Sequence, residues 1–463
     1  MITRLFAATA LIAAIAYSQE ASVQPSQSGT TSTTATSDST ANSNSTYEGP
    51  SILSRDRSLI GERGGKLLDY TFWGAVSGVY DSSLIPVSVN SQGQIPINDG
   101  VGLQASWGLS GSRTWRHDRL SVEYSGSVFH YPNNSYFDGF DEFLNLSYLH
   151  RFSRRLTIQT RETAGSTFNS TGYYNYLPLQ NTDLYAVPTN QLFDNRTDFL
   201  QARVDLTWMM SPRLSINVGG EGFFQRYQSA SLASVKGYNG HGDVSYRLTH
   251  RQTLTVAAEY TGFNYIRQFG SANITTFTGG WSIGLGRRYD FAIQGGAGRM
   301  DFNGLTVVNL DPAIAAIVGQ NSAVVTFHQT AVIPIYGGQF TRRFERSAVT
   351  ASYNASYSPG NGVYLASRAS NAALTYSYVG FRRLSLSANM GYSRLGSLGQ
   401  TLPPFTGYYG GVGGTYKLAG YTFLSTRLDY RHYDTGSAGY VQNSYRVSVG
   451  LAFSPAQRPL PIW

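Results

Sequence analysis

From Lys66 to Phe453 the chain repeats one pattern: stretches of roughly 12 to 16 residues in which apolar and polar side chains alternate, each stretch ending in a turn. In Asp198–Met210, Leu200, Ala202, Val204, Leu206 and Trp208 share one parity, while Gln201, Arg203, Asp205 and Thr207 take the other. In Arg213–Tyr227, Leu214, Ile216, Val218 and Phe224 oppose Ser215, Asn217, Glu221 and Gln225. In Arg251–Tyr265, Leu254, Val256, Ala258 and Tyr260 oppose Thr253, Thr255 and Glu259. Period two with one apolar face is a strand signal. The stretches are long enough for membrane strands, which need about 9–11 residues to cross the hydrocarbon.

The composition fits a transmembrane barrel better than the two or three soluble domains that this length would otherwise allow. Charged residues make up 13% of the chain, about half the ~25% of an ordinary soluble domain. Mean hydropathy is -0.22, as expected when half of each strand faces water. No segment after the N-terminal twenty residues carries ~18 continuous apolar residues, so no transmembrane helix is expected. The absence of cysteine excludes a disulfide scaffold, a Cys-based zinc site and a lipid-modified N-terminal Cys. A soluble sandwich is disfavoured by so many long, evenly spaced hairpins. A propeller or solenoid is disfavoured because no recurrent signature motif accompanies the repeat.

The N-terminal region reads differently. Arg4 precedes the apolar run Leu5–Ala16, and Ala16-Tyr17-Ser18 offers a small-x-small cleavage site before Gln19. Residues 1–18 are therefore expected to be a secretory signal peptide. Residues 19–65, rich in Ser and Thr over Ala21–Pro50, are expected to be a disordered periplasmic linker, since they offer too little apolar surface to offset chain entropy. The barrel is expected over 66–453, followed by a tail over 454–463.

The turns alternate in kind. Short turns carry Arg116, Arg155, Arg213, Arg251, Arg287, Arg343 and Arg382, with another near Gly420. Longer polar and aromatic loops fall midway between them, the long ones expected at roughly 168–195 and 304–328. Short turns on one rim and long loops on the other are the layout of outer-membrane barrels. The strand count is eighteen, with sixteen or twenty also admissible, and both termini lie on the short-turn side. The expected fold is all-β: a transmembrane, antiparallel, up-and-down β-barrel. Aromatic residues toward the ends of apolar faces, among them Phe72, Tyr80, Trp208, Tyr246, Tyr260, Trp281, Tyr416 and Tyr430, suit rings at the two membrane interfaces.

In this pattern the sequence resembles the bacterial porin-like outer-membrane β-barrels. The last strand, with Tyr445, Val447, Val449, Leu451 and Phe453 alternating with Arg446, Ser448 and Gly450, looks like that family's C-terminal insertion signal, although Ser454–Trp463 follow it. The resemblance implies a Gram-negative outer-membrane location with both termini periplasmic. It implies contact with outer-membrane lipids, insertion by the barrel-assembly machinery, passage of small hydrophilic solutes and self-association through no identified face. It also implies a long loop folded into the lumen. The candidate is Phe168–Asn195, whose Tyr173, Tyr174, Tyr176, Tyr185 and Phe193 would offer flat faces to sugar rings. The alternative is an external loop packing its own aromatics.

An eighteen-stranded barrel is too wide for side chains to fill, so an aqueous lumen is expected. Alternation assigns to it Asp69, Glu123, Arg203, Asp205, Glu221, His241, Asp243, Arg247, Glu259, Arg427, Asp429, Arg431 and Arg446. Both signs occur, so no strong ion preference is expected. The plainer role for each is to solvate the wall. Glu162 falls on the apolar parity of its strand, which a bulge or burial near the rim would accommodate. A two-turn helix is expected over Asp311–Gly319, from the Asp cap and following Pro. The many glycines are read as aids to packing and twist.

Catalysis has one candidate: His241 and Asp243, two residues apart on one parity, as a base with its orienting carboxylate. No serine in a strained-turn motif accompanies them, so no enzyme is expected. No metal site and no cofactor are expected. Nucleic-acid binding is disfavoured despite a net charge of +8, because the arginines are dispersed over the turns, where anionic lipid headgroups would suit them. The leading function is a passive diffusion channel for small hydrophilic solutes, saccharides among them. The alternatives are a non-conducting structural or docking barrel, a component of polysaccharide export and, third, an outer-membrane enzyme.

Overall fold

The computed structural model describes residues 67–84, 98–168, 195–266, 268–286, 288–309, 322–398, 403–435, 441–455 and 458–461. Eighteen long strands follow one another: β1 (Leu67–Leu84), β2 (Asn98–Thr114), β3 (Asp118–His130), β4 (Gly139–Arg151), β5 (Leu156–Thr167), β6 (Thr197–Met209), β7 (Leu214–Tyr227), β8 (Ser234–Thr249) and β9 (Gln252–Ile266) form the first half. The second half is β10 (Ser271–Leu285), β11 (Tyr289–Asn309), β12 (Ser322–Arg343), β13 (Ser347–Ser358), β14 (Ser367–Tyr378), β15 (Leu384–Ser397), β16 (Phe405–Ala419), β17 (Thr422–Asp434) and β18 (Val441–Phe453). Each pairs antiparallel with the next. The ring closes where β1 meets β18, from Gly74 opposite Phe453 to Asp81 opposite Arg446. Closure leaves no free edge at membrane depth, the condition for a sheet to span a bilayer.

The register turns the sequence alternation into two faces. Phe72, Tyr80, Tyr238, Tyr246, Tyr408, Tyr416, Tyr445 and Phe453 all face outward and are exposed. On each of those four strands the two rings stand eight positions apart, roughly 27 Å along a strand. With the 35–45° tilt of membrane barrels this becomes a band roughly 20 Å tall, close to the ~25 Å expected of such proteins. Neighbouring rings pair along the girdles: Tyr430 with Tyr445 at 5.0 Å, Tyr392 with Tyr408 at 5.2 Å, Phe72 with Phe453 at 6.4 Å. Between them stand exposed apolar side chains such as Val76, Leu103, Val256, Val412 and Val449.

The short turns explain themselves locally. Ser153 Oγ accepts the backbone N–H groups of Arg155 and Leu156, and Ser211 Oγ those of Arg213 and Leu214. The turn Ser-x-Arg-Leu thus satisfies its own backbone while the arginine stays in water.

Three features depart from expectation. The loop expected over residues 304–328 is strand at both of its described ends, because β11 and β12 stay paired as far as Asn309 opposite Ser322. Thr306, Val307, Val308, Val324, Val325 and Thr326 are β-branched residues that favour the ladder. The segment Arg458–Pro461 forms a short strand, β19, along the lower end of β1, with Leu67 opposite Pro461. Glu162 sits in an unbroken ladder between Leu146 and Ala202, with no bulge, and faces outward. The helix expected over 311–319 lies outside the described residues, as do the expected signal peptide and linker.

Candidate functional site

Pairing sets the inner face strand by strand. Glu123 on β3, Arg203 and Asp205 on β6, Glu221 on β7, His241, Asp243 and Arg247 on β8, Glu259 on β9, Arg427, Asp429 and Arg431 on β17 and Arg446 on β18 all occupy inward positions. Asp69 pairs through its backbone with Ser112 on β2.

Two clusters gather most of these residues. Across β6–β9, Arg203 Nε donates to Asp205 Oδ2 at 2.7 Å, and Arg203 Nη1 stands 3.8 Å from Glu221 Oε2. His241 Nε2 lies 2.7 Å from Asp205 Oδ1, and its Nδ1 lies 3.2 Å from Asn239 Oδ1. Asn239 Nδ2 donates to Thr261 Oγ1 at 2.8 Å and to Glu259. The second cluster spans β15–β17: Arg427 Nε donates to Asp429 at 2.8 Å, and its Nη2 to Asn389 Oδ1 at 3.0 Å. At the seam, Arg446 Nη2 donates to Gln104 Oε1 at 3.0 Å while Asp81 accepts from Tyr131 Oη. In both clusters and at the seam arginines stand beside acids, so the lumen carries both signs in paired form.

The proposed base–carboxylate pair does not form as expected. The carboxylate beside His241 is Asp205, two strands away, not Asp243. Asp243 is occupied by the residue directly opposite it, Asn217, whose Nδ2 donates to it at 2.6 Å. The residue opposite His241 is Gly219, and its missing side chain lets the ring reach over β7. A Cβ there would stand 2.3 Å from Asp205 Oδ1 and 2.6 Å from His241 Nε2. Gly411 plays the same part between Asn389 and Asp429. These inward glycines, read from sequence as aids to packing, are gaps that admit cross-strand polar contacts. Both ring nitrogens of His241 are engaged, which leaves neither aimed at open lumen. Gly219→Val is therefore expected to cost about 1–3 kcal/mol through overpacking. Gly220→Ala faces outward, where the nearest atom would be 3.6 Å from the new Cβ, and is expected to be near neutral. Denaturant unfolding midpoints of the two variants in detergent check this.

A segment not expected from sequence crosses the mouth. β13 pairs with β12 only from Arg343 opposite Ala348 to Tyr336 opposite Ala355. Beyond that β12 continues toward Ser322, while the tip of the β13–β14 hairpin slips behind it into the lumen. Tyr357 Oη donates to Glu259 Oε1 at 2.8 Å, on the wall strand β9. Tyr265 Oη donates to the Pro359 carbonyl at 2.9 Å, and the Ala233 N–H to the Gly362 carbonyl at 2.9 Å. On the other side Tyr364 Oη donates to the Pro403 carbonyl at 2.9 Å. Burial, and after it the Asp434 charge, push the Tyr364 phenol above its ordinary value.

The tip is held by an apolar cluster inside the barrel. Tyr357, Leu365 and Ala366 pack with Phe263, Ile274, Met300, Phe302, Ile333 and Ile335 from the inner faces of β9–β12. Phe263 and Met300 are each 1% exposed. The hairpin end folds tightly because Gly360 takes a φ of +98°, where a Cβ would meet the Tyr364 carbonyl oxygen at 1.7 Å. Sequence reading missed this plug, although a signal existed. Ile274, Met300, Phe302, Ile333 and Ile335 share their parity with Thr276, Gln294 and Gln339, so both faces turn apolar near the long-loop rim. The expected constriction residues Tyr173, Tyr174, Tyr176, Tyr185 and Phe193 lie outside the described residues.

A closed antiparallel ring of eighteen long strands, greasy outside and charged inside, has the build of a membrane-spanning β-barrel. No family model matches the sequence, and no curated protein matches it. Among solved structures it is similar to Pseudomonas aeruginosa OccK5 (OpdH), at 11% identity over 86% of this chain and 100% of that one, with a TM-score of 0.42. It is also similar to Acinetobacter baumannii OccAB1, at 11% identity over 84% of this chain and 98% of that one, with a TM-score of 0.41. Likenesses this distant concern the fold alone.

Proposed function

We propose that the protein is an outer-membrane channel for passive diffusion of small hydrophilic solutes, with both termini on the periplasmic side. One observation carries the reading: the strands that put Val256 and Leu254 outside put Glu259, His241, Asp205 and Arg203 inside. A bilayer-spanning wall with charged inner groups makes an interior that water can fill. Solutes are sorted by size at the narrowed long-loop end, where the hairpin tip Ser358–Ala366 lies, and by the paired charges below it. The loop of residues 169–194 is a second candidate constriction, and its aromatics would suit saccharides. The wider reading includes an exported precursor cleaved after Ser18, a periplasmic linker before the barrel and insertion by the assembly machinery.

Single-channel recording in a planar bilayer tests this. Steady open steps with little preference for cation or anion are expected, because inner acids and arginines stand in pairs. Silence at every voltage would refute conduction. It would favour the second reading, a non-conducting barrel, to which the buried apolar contacts of the hairpin tip lend support. Deleting residues 172–190 separates the two constrictions: unchanged conductance would remove that loop from the path.

A further inference from the structure

We propose that the outer wall between β12 and β15, at its long-loop end, is a binding site for the phosphate of an outer-leaflet lipid, held by Arg368 and Arg394. The inference rests on the membrane-spanning reading above and on its orientation, and not on conduction.

The sector is set apart by charge. From Ser322 to Ala419 the sequence holds one acidic residue, Glu345, in the short turn between β12 and β13. The basic residues Arg342, Arg343, Arg346, Arg382, Arg383 and Lys417 gather at that same short-turn end. Arg368 on β14 and Arg394 on β15 are the arginines of this stretch at the opposite end. No carboxylate on β12–β16 is there to neutralise them.

Parity turns both outward. Arg368 shares its face of β14 with Tyr376, and Arg394 its face of β15 with Met390, both exposed. The adjacent Ala369 and Leu395 pack inside the barrel. Arg394 lies opposite Ser370, two residues from Arg368, so the arginines are diagonal neighbours about 7–8 Å apart at the backbone. Two like charges so placed repel unless an anion lies between them. Neither makes an ion pair among the described residues. Arg368 Nη2 donates to Tyr336 Oη at 3.4 Å, while its Nε is enclosed without a hydrogen-bond partner.

Depth selects the ligand. Arg394 lies two positions beyond Tyr392, whose ring pairs with Tyr408 in the girdle at the long-loop end. Arg368 lies eight positions beyond Tyr376, the interval that separates the two girdles. Both therefore stand just outside the hydrocarbon, in the layer of lipid phosphates. The guanidinium fork matches phosphate oxygens two at a time. The wall is also stepped here. β12 loses β13 above Tyr336 opposite Ala355, and Pro334, with no N–H to offer, stands at the split. Arg368 lies at the foot of this step, beside the stacked rings of Tyr336 and Tyr353, 5.8 Å apart. A headgroup seated there meets a wall on one side and two cations on the other.

Native mass spectrometry of the detergent-solubilised protein with hexa-acylated diphosphoryl lipid A tests this. The protein is expected to retain one molecule, and to hold the dephosphorylated form roughly ten-fold less. Combining Arg368→Gln with Arg394→Gln is expected to lower retention of the phosphorylated lipid roughly ten-fold, as loss of charge-assisted hydrogen bonds does. Should that double variant fail to fold, Arg394→Gln alone, at an exposed side chain, reads the same loss. Arg299→Gln, whose charge Asp301 already matches at 3.4 Å, is expected to leave retention unchanged. Equal retention by the protein and its double variant, or of the lipid with and without phosphate, would overturn the proposal. So would an equal fall in Arg299→Gln, which would mean diffuse charge and no site. A preference for phosphatidylglycerol over lipid A, lost in the double variant, would overturn the lipid proposed and reverse the orientation given above. A folded chain that stays soluble without detergent would instead sink the membrane-spanning reading itself.

Discussion

Removing Pro359–Ala366 and joining Ser358 to Ser367 through a short Gly-Ser turn is expected to raise single-channel conductance by roughly two-fold or more, as widening a constriction does. The tip reaches from Ala233 and Tyr265 on one side to Pro403 on the other. It thus crosses the mouth rather than lining it. The same deletion uncovers Phe263, Ile274, Met300, Ile333 and Ile335, which the tip now covers together with Tyr357. A loss of stability on the order of 2–4 kcal/mol is expected, comparable to deleting one large buried side chain. Recording and denaturant unfolding of one preparation read both effects. Unchanged conductance would mean that solutes bypass the tip, and the account of selectivity would have to move to the lower lumen.

Val256→Arg is expected to destabilise the barrel by about 2–4 kcal/mol, the usual effect of an arginine in the middle of a barrel's lipid-facing band. Thr255→Arg, one residue earlier, points into the lumen and is expected to cost less than about 1 kcal/mol, because its charge stays in water. Val256 is 65% exposed yet sits level with the apolar side chains of its neighbours, opposite Gly279 and Val244. The pair isolates the environment of the face from helix or strand propensity, since the substituted side chain is the same. Unfolding titrations in phospholipid bilayers measure both. A larger penalty for Thr255→Arg would mean that the faces are assigned the wrong way round.

The strands were legible because the bilayer writes them. Every crossing needs one greasy parity for the full thickness of the membrane, so β6, β7 and β9 could be drawn from Leu200–Trp208, Leu214–Phe224 and Leu254–Tyr260 alone. Above the membrane that demand ends, and so does the signal. The extension of β11 and β12 past Asn303 and Gln329 therefore went unread. The identities of inward residues followed from parity, but their partners did not. Partners depend on register across neighbouring strands, and the pairing of His241 with Asp205 depends on Gly219, a residue with no side chain to notice. The plug is the deepest omission. Ile274, Met300 and Ile335 announce that something apolar covers them. Which distant hairpin does so is a non-local fact that no single strand records. Glu162 was the opposite case: the anomaly was visible in sequence, and it survives in a regular ladder.

All of this depends on β9 presenting alternate side chains to lipid and to water. Single cysteines placed in turn at residues 253 through 258 of the otherwise cysteine-free chain, folded into phospholipid vesicles, measure that directly with a membrane-impermeant methanethiosulfonate. The account predicts rapid modification at Thr253, Thr255 and Ala257 and protection at Leu254, Val256 and Ala258. Uniform reactivity along the strand, or the reversed alternation, would contradict it.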